Sequence, residues 1–238
     1  MKAGIFAAGA GTRLGGPPRG PKALTPVAGR PLIDWLLDDL ERARITDVVV
    51  IINEQSIAVR DHVAAHPRRG AIRWIVETTP SSMHSFLRVV EDLARDGDGG
   101  PFLISTVDTI APPGTFAAFV DRASALLAHS DAVLALTARI DDETPFRVRL
   151  ADRDARIGPV AALGDGPFAT AGYSLVRPSV LRDADAARAA RLGALREYFV
   201  RLLAGGFRFA GVCMPDSIDV DRDADVLAAE QLLRKTVC

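Results

Sequence analysis

Short runs of apolar residues alternate along this chain with longer segments in which apolar positions recur every three or four residues. The runs predict β-strands, and the longer segments predict amphipathic helices with one buried face. Because the two kinds of element alternate, the pattern favours a mostly parallel sheet covered by helices. Strands are predicted at Lys2 to Ala8, Asp47 to Ile52, Ile72 to Val76, Phe102 to Ser105 and Ala132 to Leu136. Helices are predicted at Leu32 to Ala43, Ile57 to Ala65, Ser82 to Ala94, Thr115 to Ala128, Gly193 to Ala204 and Ala224 to Lys235.

The alternation changes after Pro145. Two further strands, Phe146 to Leu150 and Phe168 to Val176, are separated by turns rather than by long helices. Such a pattern predicts a small antiparallel extension of the sheet. We therefore expect one α/β domain over residues 1–238, with a three-layer α/β/α, Rossmann-like architecture.

A glycine-rich turn follows the first predicted strand, and two cations, Arg13 and Lys22, come shortly after it. Backbone N–H groups in such a turn can line an anion, and the cations add positive charge. The turn therefore predicts a phosphate-binding site, although glycines also serve tight turns that bind nothing. The candidate nucleotide-binding residues are Ala7, Ala8, Gly9, Ala10, Gly11 and Thr12.

Two well-known phosphate loops do not fit this turn. A dinucleotide fingerprint requires glycine at its sixth position, which is Leu14 when the count begins at Gly9. A P-loop requires glycine before its lysine and Ser or Thr after it, whereas Lys22 stands between Pro21 and Ala23.

The composition of the chain limits the kinds of molecule that the protein can be expected to bind. The chain has 238 residues, 48% hydrophobic and 25% charged, which is typical of a folded globular protein. A net charge of −1 argues against nucleic acid as the ligand, and no apolar run is long enough to predict a membrane span. The two cysteines, Cys213 and Cys238, form no disulfide framework, which favours a cytoplasmic protein. We therefore expect small-molecule partners.

The stretch from Ala7 to Leu32 resembles the signature of the nucleotidyltransferases that make sugar nucleotides. That signature is a Gly-x-Gly-Thr-Arg-Leu turn followed by Pro-Lys-x-Leu-x-Pro-Val-x-Gly-x-Pro-Leu. The resemblance implies transfer of NMP from an NTP to a phosphorylated small molecule, with a sugar 1-phosphate as the favoured acceptor and pyrophosphate as the second product. It implies catalytic roles for Arg13 and Lys22. Residues 1–140 would bind the nucleotide, and residues 141–215 the acceptor.

Such a reaction needs charge stabilisation more than a protein nucleophile, because the attacking phosphate oxygen is already ionised. Mg²⁺ is the expected cofactor, with one or two carboxylates as ligands. Asp108 follows a predicted strand at the sheet edge where α/β folds bind ligands, and it resembles the family's first metal aspartate. A second ligand is implied just before the last helix, where the family carries Asp-Val-x-Thr-Pro-Glu-Asp-Leu. Asp219 is the first choice there, and Asp221 the second.

The resemblance also implies residues for the base and the acceptor. Glu77, Ser82 and Met83 occupy places that approach the nucleobase in related enzymes, although Ser82 could equally cap a helix. On the acceptor side, Ala171-Gly172-Tyr173 resembles the family's Ala-Gly-x-Tyr strand, which implies that Gly172 and Tyr173 bind the acceptor. The chain lacks the family's Glu-Lys-Pro motif at residues 161–165. Either Arg147 or Arg149 is predicted to replace the missing lysine at the acceptor phosphate.

Three alternatives stay open. A cytidylyltransferase acting on phosphocholine or a phosphonate is favoured if the missing Glu-Lys-Pro means that the acceptor is not a sugar. A glycosyltransferase is conceivable because Asp219-Val220-Asp221 is formally an Asp-x-Asp motif. A non-catalytic subunit that senses a nucleotide or nucleotide sugar would explain the altered acceptor motifs.

Overall fold

The computed structural model describes residues 1–9, 20–65, 72–95, 97, 99–140, 144–215 and 217–236. The strands are β1 (Lys2–Phe6), β2 (Pro26–Val27), β3 (Arg30–Pro31), β4 (Asp47–Ile52), β5 (Ile72–Val76), β6 (Phe102–Thr106), β7 (Thr109–Ile110), β8 (Ala132–Thr137), β9 (Arg147–Leu150), β10 (Ile157–Leu163), β11 (Phe168–Val176), β12 (Phe209–Cys213) and β13 (Ile218–Asp219). The helices are α1 (Leu32–Arg42), α2 (Ile57–Ala64), α3 (Ser82–Ala94), α4 (Thr115–Leu126), α5 (Ala184–Ala189), α6 (Leu195–Ala204) and α7 (Asp223–Thr236).

Nine strands form one mixed sheet in the order β5-β4-β1-β6-β11-β8-β12-β10-β9. Strands β5, β4, β1 and β6 run parallel to one another, and β12 runs parallel to β8. Strand β11 is antiparallel to both β6 and β8, and β10 is antiparallel to β12 and β9. The predicted α/β class with an antiparallel extension is confirmed. The antiparallel part is larger than predicted, since β11 lies inside the sheet.

Both faces of the sheet are covered by helices. Alternate side chains of a strand point to opposite faces, and β4 shows the result. Val48 and Val50 pack in the core beneath α1, α2 and α4, whereas Val49 and Ile51 pack in the core beneath α3, α5 and α6. These two cores give the three predicted layers. Among the described residues, no helix is long and apolar enough to cross a membrane.

A third, smaller core joins the last helix to the segment that follows Lys22. Helix α7 packs there on the β2–β3 turn and on the two-stranded β7–β13 ribbon. The backbone N–H of Ala28 donates to a Glu230 carboxylate oxygen at 3.0 Å, and the Trp35 indole N–H donates to the Val27 carbonyl at 3.0 Å. The apolar members of this core are Val27, Leu32, Ile110, Ile218, Val220, Ala229 and Leu233. The core therefore ties α7 to the segment that directly follows Lys22, the predicted catalytic lysine.

Two buried tyrosines, Tyr173 and Tyr198, differ in whether the hydroxyl group forms a hydrogen bond. Comparing them separates the stability that comes from ring packing from the stability that comes from the hydrogen bond. The Tyr198 hydroxyl donates to the Val180 carbonyl, whereas the buried Tyr173 hydroxyl has no hydrogen-bond partner among the described residues. Tyr173 packs between Phe116 and Phe119, with ring centroids 4.6 and 5.0 Å away. Burial raises the pKa of Tyr173, so its hydroxyl stays protonated.

We expect Tyr198→Phe to lower the free energy of unfolding by about 0.5–1.5 kcal/mol, because it removes a buried hydrogen bond. Tyr173→Phe should change it by less than about 0.5 kcal/mol or raise it, because no hydrogen bond is lost. Urea denaturation of the two variants and the parent measures both changes. Equal losses for the two substitutions would contradict this account of the core.

Candidate active site

Lys22 lies at the carboxyl edge of the parallel strands. Lys22 is the first residue of a short 3₁₀ turn, Lys22–Leu24, and its backbone N–H donates to the Gly9 carbonyl at 3.2 Å. The aliphatic part of the side chain passes beside Gly9, where an added Cβ would lie 3.6 Å from Lys22 Cδ. Only 9% of the side chain is exposed. The end of β1 therefore fixes the stem of the lysine and directs its ammonium group inward.

The Lys22 ammonium group joins two carboxylates that are distant in sequence. It donates to Asp108, in the turn between β6 and β7, and to Asp221 Oδ1 at 2.5 Å, just before α7. Burial by itself lowers the pKa of Lys22, but the attraction of Asp108 and Asp221 outweighs it and the pKa is raised. Lys22 therefore stays positively charged and neutralises part of an acidic cluster.

Asp219 adds a third carboxylate beside this pair. Strand pairing sets Asp219 opposite Thr109, whose hydroxyl donates to Asp219 Oδ1 at 2.7 Å. Burial, followed by the negative charge of Asp108, raises the pKa of Asp219 to about 7. Asp219 is closely surrounded by protein and yet opens to solvent in a cleft. The neighbouring carboxylates of Asp108 and Asp221 concentrate negative charge at this edge of the sheet.

Gly172 allows β11 to approach this cluster. Its φ is +77°, and a Cβ there would lie 2.0 Å from the Thr109 hydroxyl oxygen. The Thr106 hydroxyl also reaches the Gly172 carbonyl at 3.4 Å. A side chain at position 172 would therefore displace the threonine that holds Asp219.

The donor set fits Mg²⁺. Asp108 and Asp221 already present oxygens to one cationic group, the Lys22 ammonium. Mg²⁺ in proteins commonly takes one or two carboxylates and completes its shell with phosphate oxygens and waters. Within the part of the chain that the structure describes, no group of three or more His, Cys, Asp or Glu side chains is placed to hold a metal ion. Two carboxylates together with ligand oxygens are therefore the arrangement that the chain offers.

The predicted phosphate turn is described only at its start. The Ala7 N–H donates to the Ile51 carbonyl at 2.9 Å, and the Asn53 side-chain amide donates to the Ala8 carbonyl at 2.7 Å. Asn53 was not among the predicted residues, although its position directly after the apolar run of β4 is a signal for this sheet edge. Outside the described residues lie Ala10, Gly11, Thr12 and Arg13.

The three residues predicted near the base differ in their surroundings. Glu77 follows β5, is half exposed, and accepts a hydrogen bond from Arg88 Nε at 3.0 Å. The Ser82 hydroxyl oxygen instead accepts the Leu195 N–H at 3.0 Å, so it satisfies the start of α6. Met83 is fully buried in the core beneath α3. As a correction, the Met83 side chain has no access to a nucleotide, and Ser82 has a structural partner.

The predicted acceptor residues also need correction. An Arg147 guanidinium N–H donates to the Gly166 carbonyl at 3.1 Å, and Arg149 pairs with Asp165 at 2.6 Å. Both arginines are thus engaged along β9 and its neighbouring turn. Tyr173 is 3% exposed and packs in the core, so its ring does not face an acceptor. Gly172 is partly exposed beside Thr109 and keeps its place near the site.

A cleft of about 220 Å³ lies next to Asp219 and Asp221. Its walls come from the segment after β8, from the first half of β11 and from the start of α7. The arginines among the described residues that line this cleft are Arg139 and Arg222, and neither was predicted. Arg222 could have been noticed, because Arg222-Asp223 stands where the resembled motif has Thr-Pro. Arg139 carries no comparable signal in the sequence.

Residues 3–179 match the family described as MobA-like NTP transferase domain. The chain belongs to this family. A solved structure of UDP-glucose pyrophosphorylase complexed with UDP-glucose aligns with a TM-score of 0.80 over 99% of each chain, at 14% identity. The suspected resemblance to nucleotidyltransferases and the α/β fold are therefore both confirmed.

Two curated relatives of this MobA-like chain differ in the acceptors that their names state. CMP-5'-(3-aminopropyl)phosphonate synthase of Streptomyces rubellomurinus is 38% identical over 97 residues, which are 40% of this chain and 15% of that protein. "Probable mannose-1-phosphate guanylyltransferase 1" of Oryza sativa subsp. japonica is 25% identical over 239 residues, covering 98% of this chain and 64% of the relative. The chain thus spans less than two thirds of either relative.

Proposed function

We propose that this protein is a nucleotidyltransferase that moves NMP from an NTP to a phosphorylated small molecule and releases pyrophosphate. The main observation in support of this proposal is the position of the Lys22 ammonium group, between Asp108 and Asp221 and beside a cleft at the carboxyl edge of the sheet. Family membership supports the same reaction class. Residues up to about 140 would bind the nucleotide, and the cleft beyond them would receive the acceptor.

In the proposed step, an ionised oxygen of the acceptor attacks the α-phosphorus of the NTP. A new phosphorus–oxygen bond forms as the bond from the α-phosphorus to the bridging oxygen breaks, and pyrophosphate leaves with that electron pair. No proton has to be removed from the attacking oxygen. The protein must therefore align the two reactants and compensate the negative charge that they bring together.

Lys22 would donate to phosphate oxygens on which charge develops as pyrophosphate departs. Its buried stem and its place beside Gly9 restrict it to one side of the cluster. Asp108 and Asp221 would hold Mg²⁺, with Asp219 next to them. Mg²⁺, when bound, supplies positive charge to the phosphate oxygens. Arg13, which lies outside the described residues, is proposed as a second cation for the triphosphate.

The names of the relatives support two acceptor classes. The rice relative's name states mannose 1-phosphate and a guanylyl group, and its alignment covers nearly the whole of this chain. The Streptomyces relative's name states a CMP-linked aminopropylphosphonate, and its shorter alignment has the higher identity. We therefore propose a sugar 1-phosphate as the acceptor that the overall likeness favours, with a CMP transfer to a small phosphate or phosphonate as the second candidate.

The proposed function is tested by pyrophosphate release. Purified protein is incubated with each common NTP, MgCl₂ and each member of an acceptor panel, and pyrophosphate is measured by a coupled enzyme assay. We expect release that needs one NTP, one acceptor and the metal together. Nucleotide binding without release for any pair would instead support a non-catalytic sensing subunit. Transfer from a supplied nucleotide sugar would support a glycosyltransferase.

A further inference from the structure

We propose that Asp225 is a positioning residue, which fixes the backbone of Asp221 and so directs the Asp221 carboxylate toward Lys22. This inference rests on the proposed function and goes beyond it, since Asp225 is not among the proposed metal ligands. Its basis is a set of hydrogen bonds between the Asp225 side chain and the residues directly before α7.

One carboxylate oxygen of Asp225 holds two successive backbone groups. Asp225 Oδ2 accepts the Asp221 N–H at 3.0 Å and the Arg222 N–H at 2.7 Å. Asp225 lies in the first turn of α7, where a carboxylate bonded to the N–H ahead of the helix forms one half of a capping box. An ionised acceptor makes such hydrogen bonds shorter and stronger than a neutral one does. The Asp225 side chain therefore anchors the segment before α7 to the helix.

The other half of the capping box is missing from this chain. The residue at the cap position is Arg222, whose carbonyl accepts the Asp225 N–H at 3.0 Å. An arginine side chain has no hydrogen-bond acceptor, whereas the resembled motif has threonine at this position, and threonine can cap a helix through its hydroxyl oxygen. The start of α7 therefore depends more on the Asp225 carboxylate than it would with the threonine of the motif.

Asp221 is also held from the preceding side. The Val220 N–H donates to the Asp108 carbonyl at 3.0 Å, so successive N–H groups at residues 220–222 all have fixed acceptors. Within this frame, Asp221 Oδ1 reaches the Lys22 ammonium at 2.5 Å. Removal of the Asp225 carboxylate would release the side of Asp221 that faces α7, while the bond from Val220 to Asp108 remains.

Two other roles for Asp225 lead to different expectations. Asp225 lines the cleft, so direct contact with the acceptor would make the acceptor KM depend on it. A negative charge in the first turn also stabilises a helix through its dipole, but the exposed Asp223 lies in the same turn. Positioning of Asp221 instead predicts weaker metal binding and a lower kcat, with an unchanged acceptor KM.

Three variants test the positioning role through steady-state pyrophosphate release. Asp225→Ala should lower kcat and raise the MgCl₂ concentration for half-maximal rate, each about 10- to 100-fold, the usual cost of removing a group that orients a metal ligand. Asp225→Asn should recover most of both losses, because its amide oxygen still accepts an N–H. Asp223→Ala is the matched control and should change both quantities by less than about twofold. Equal losses in Asp225→Ala and Asp223→Ala, or a change in the acceptor KM alone, would overturn the inference.

The variant Arg222→Thr separates helix stability from positioning. A threonine hydroxyl at position 222 can cap N–H groups inside α7, but it does not replace the Asp225 carboxylate at the Asp221 N–H. When Asp225→Ala is added to Arg222→Thr, the melting temperature should exceed that of Asp225→Ala alone. The loss of kcat relative to Arg222→Thr should remain about 10- to 100-fold. Recovery of kcat together with the melting temperature would mean that Asp225 is only a helix cap, and would reject the inference.

A double-mutant cycle tests whether Asp225 acts through Asp221. In the Asp221→Asn protein, the addition of Asp225→Ala should lower kcat by less than about threefold, because the carboxylate that Asp225 positions is already absent. Losses that multiply would show that Asp225 acts by another route and that the inference is wrong.

Mn²⁺ binding keeps this inference separate from the proposed function. Titration in the presence of NTP, followed by the electron-spin-resonance signal of free Mn²⁺ and corrected for Mn²⁺ bound by NTP alone, should show about tenfold weaker binding to Asp225→Ala than to the parent. If the parent releases no pyrophosphate with any pair of substrates, the proposed function fails, and this titration decides the inference. Equal Mn²⁺ affinity in the two proteins, or no binding by either, rejects it.

Discussion

Lys22→Met is expected to lower kcat/KM for nucleotidyl transfer by about 100- to 1,000-fold, the cost of removing one preorganised charge-stabilising donor. The substitution keeps the unbranched stem that packs beside Gly9 and removes only the ammonium group. The loss should appear mainly in kcat, because the interaction strengthens as charge develops on the departing pyrophosphate. Steady-state pyrophosphate release with the best NTP and acceptor measures the change.

The ion pairs of Lys22 give this variant a second readout. Without the ammonium group, Asp108 and Asp221 lose the cation that they share, so the metal-free variant should melt at a lower temperature than the parent. Added MgCl₂ should restore part of the difference, because a bound cation stabilises the folded state. Lys235→Met, at the exposed end of α7, is the control. A loss of less than tenfold in kcat/KM would remove Lys22 from the mechanism.

Asp108→Asn is expected to have the next largest effect, a fall of about 100-fold or more in kcat/KM. The amide keeps the size of the side chain but removes the negative charge that a hard divalent cation prefers. Asp221→Asn should act in the same direction, since both carboxylates contact the Lys22 ammonium. The MgCl₂ concentration for half-maximal rate should rise in both variants.

Direct metal binding separates loss of the ion from loss of the fold. Titration with Mn²⁺, followed by the loss of its free electron-spin-resonance signal, should show weaker binding to Asp108→Asn in the presence of NTP. Asp223→Asn changes the same charge in the first turn of α7 and should leave Mn²⁺ binding as in the parent. Unchanged Mn²⁺ affinity in Asp108→Asn would mean that the metal binds elsewhere.

The sequence predicted the elements with continuous patterns well. The bounds of β4 and α3 agree with the predicted ones, because β4 is an unbroken apolar run and α3 has a regular buried face. Strand β10 was not predicted. It contains Gly158 and Pro159, and most of its side chains are exposed or half-buried, so its apolar pattern is weak. Strand β12 was also missed, because it is short, contains Gly211, and has four buried residues that pair with the distant strand β8.

The candidate site was predictable residue by residue, but its contacts were not. Motif resemblance singled out Lys22 and Asp108, and it offered Asp219 as the first choice and Asp221 as the second choice for the other metal ligand. The ion pairs of Lys22 with Asp108 and Asp221 bridge 86 and 199 positions of sequence, and only the folded sheet brings these positions together. Burial and the walls of a cleft depend on tertiary packing, which the sequence does not show. This is why Met83 was predicted to bind the nucleobase and why no role was predicted for Arg139. The roles of these residues remain predictions.

The small core beneath α7 also affects how the protein is made. The Ala28 N–H donates to Glu230 across 202 positions of sequence, and Asp221 lies just before the same helix. On the ribosome, all nine strands of the large sheet emerge before this helix does. The third core of a nascent chain is therefore complete only after α7 has been synthesised. By the same logic, a protease that cut just before α7 would separate this helix in sequence from the rest of the third core while leaving every strand of the large sheet intact.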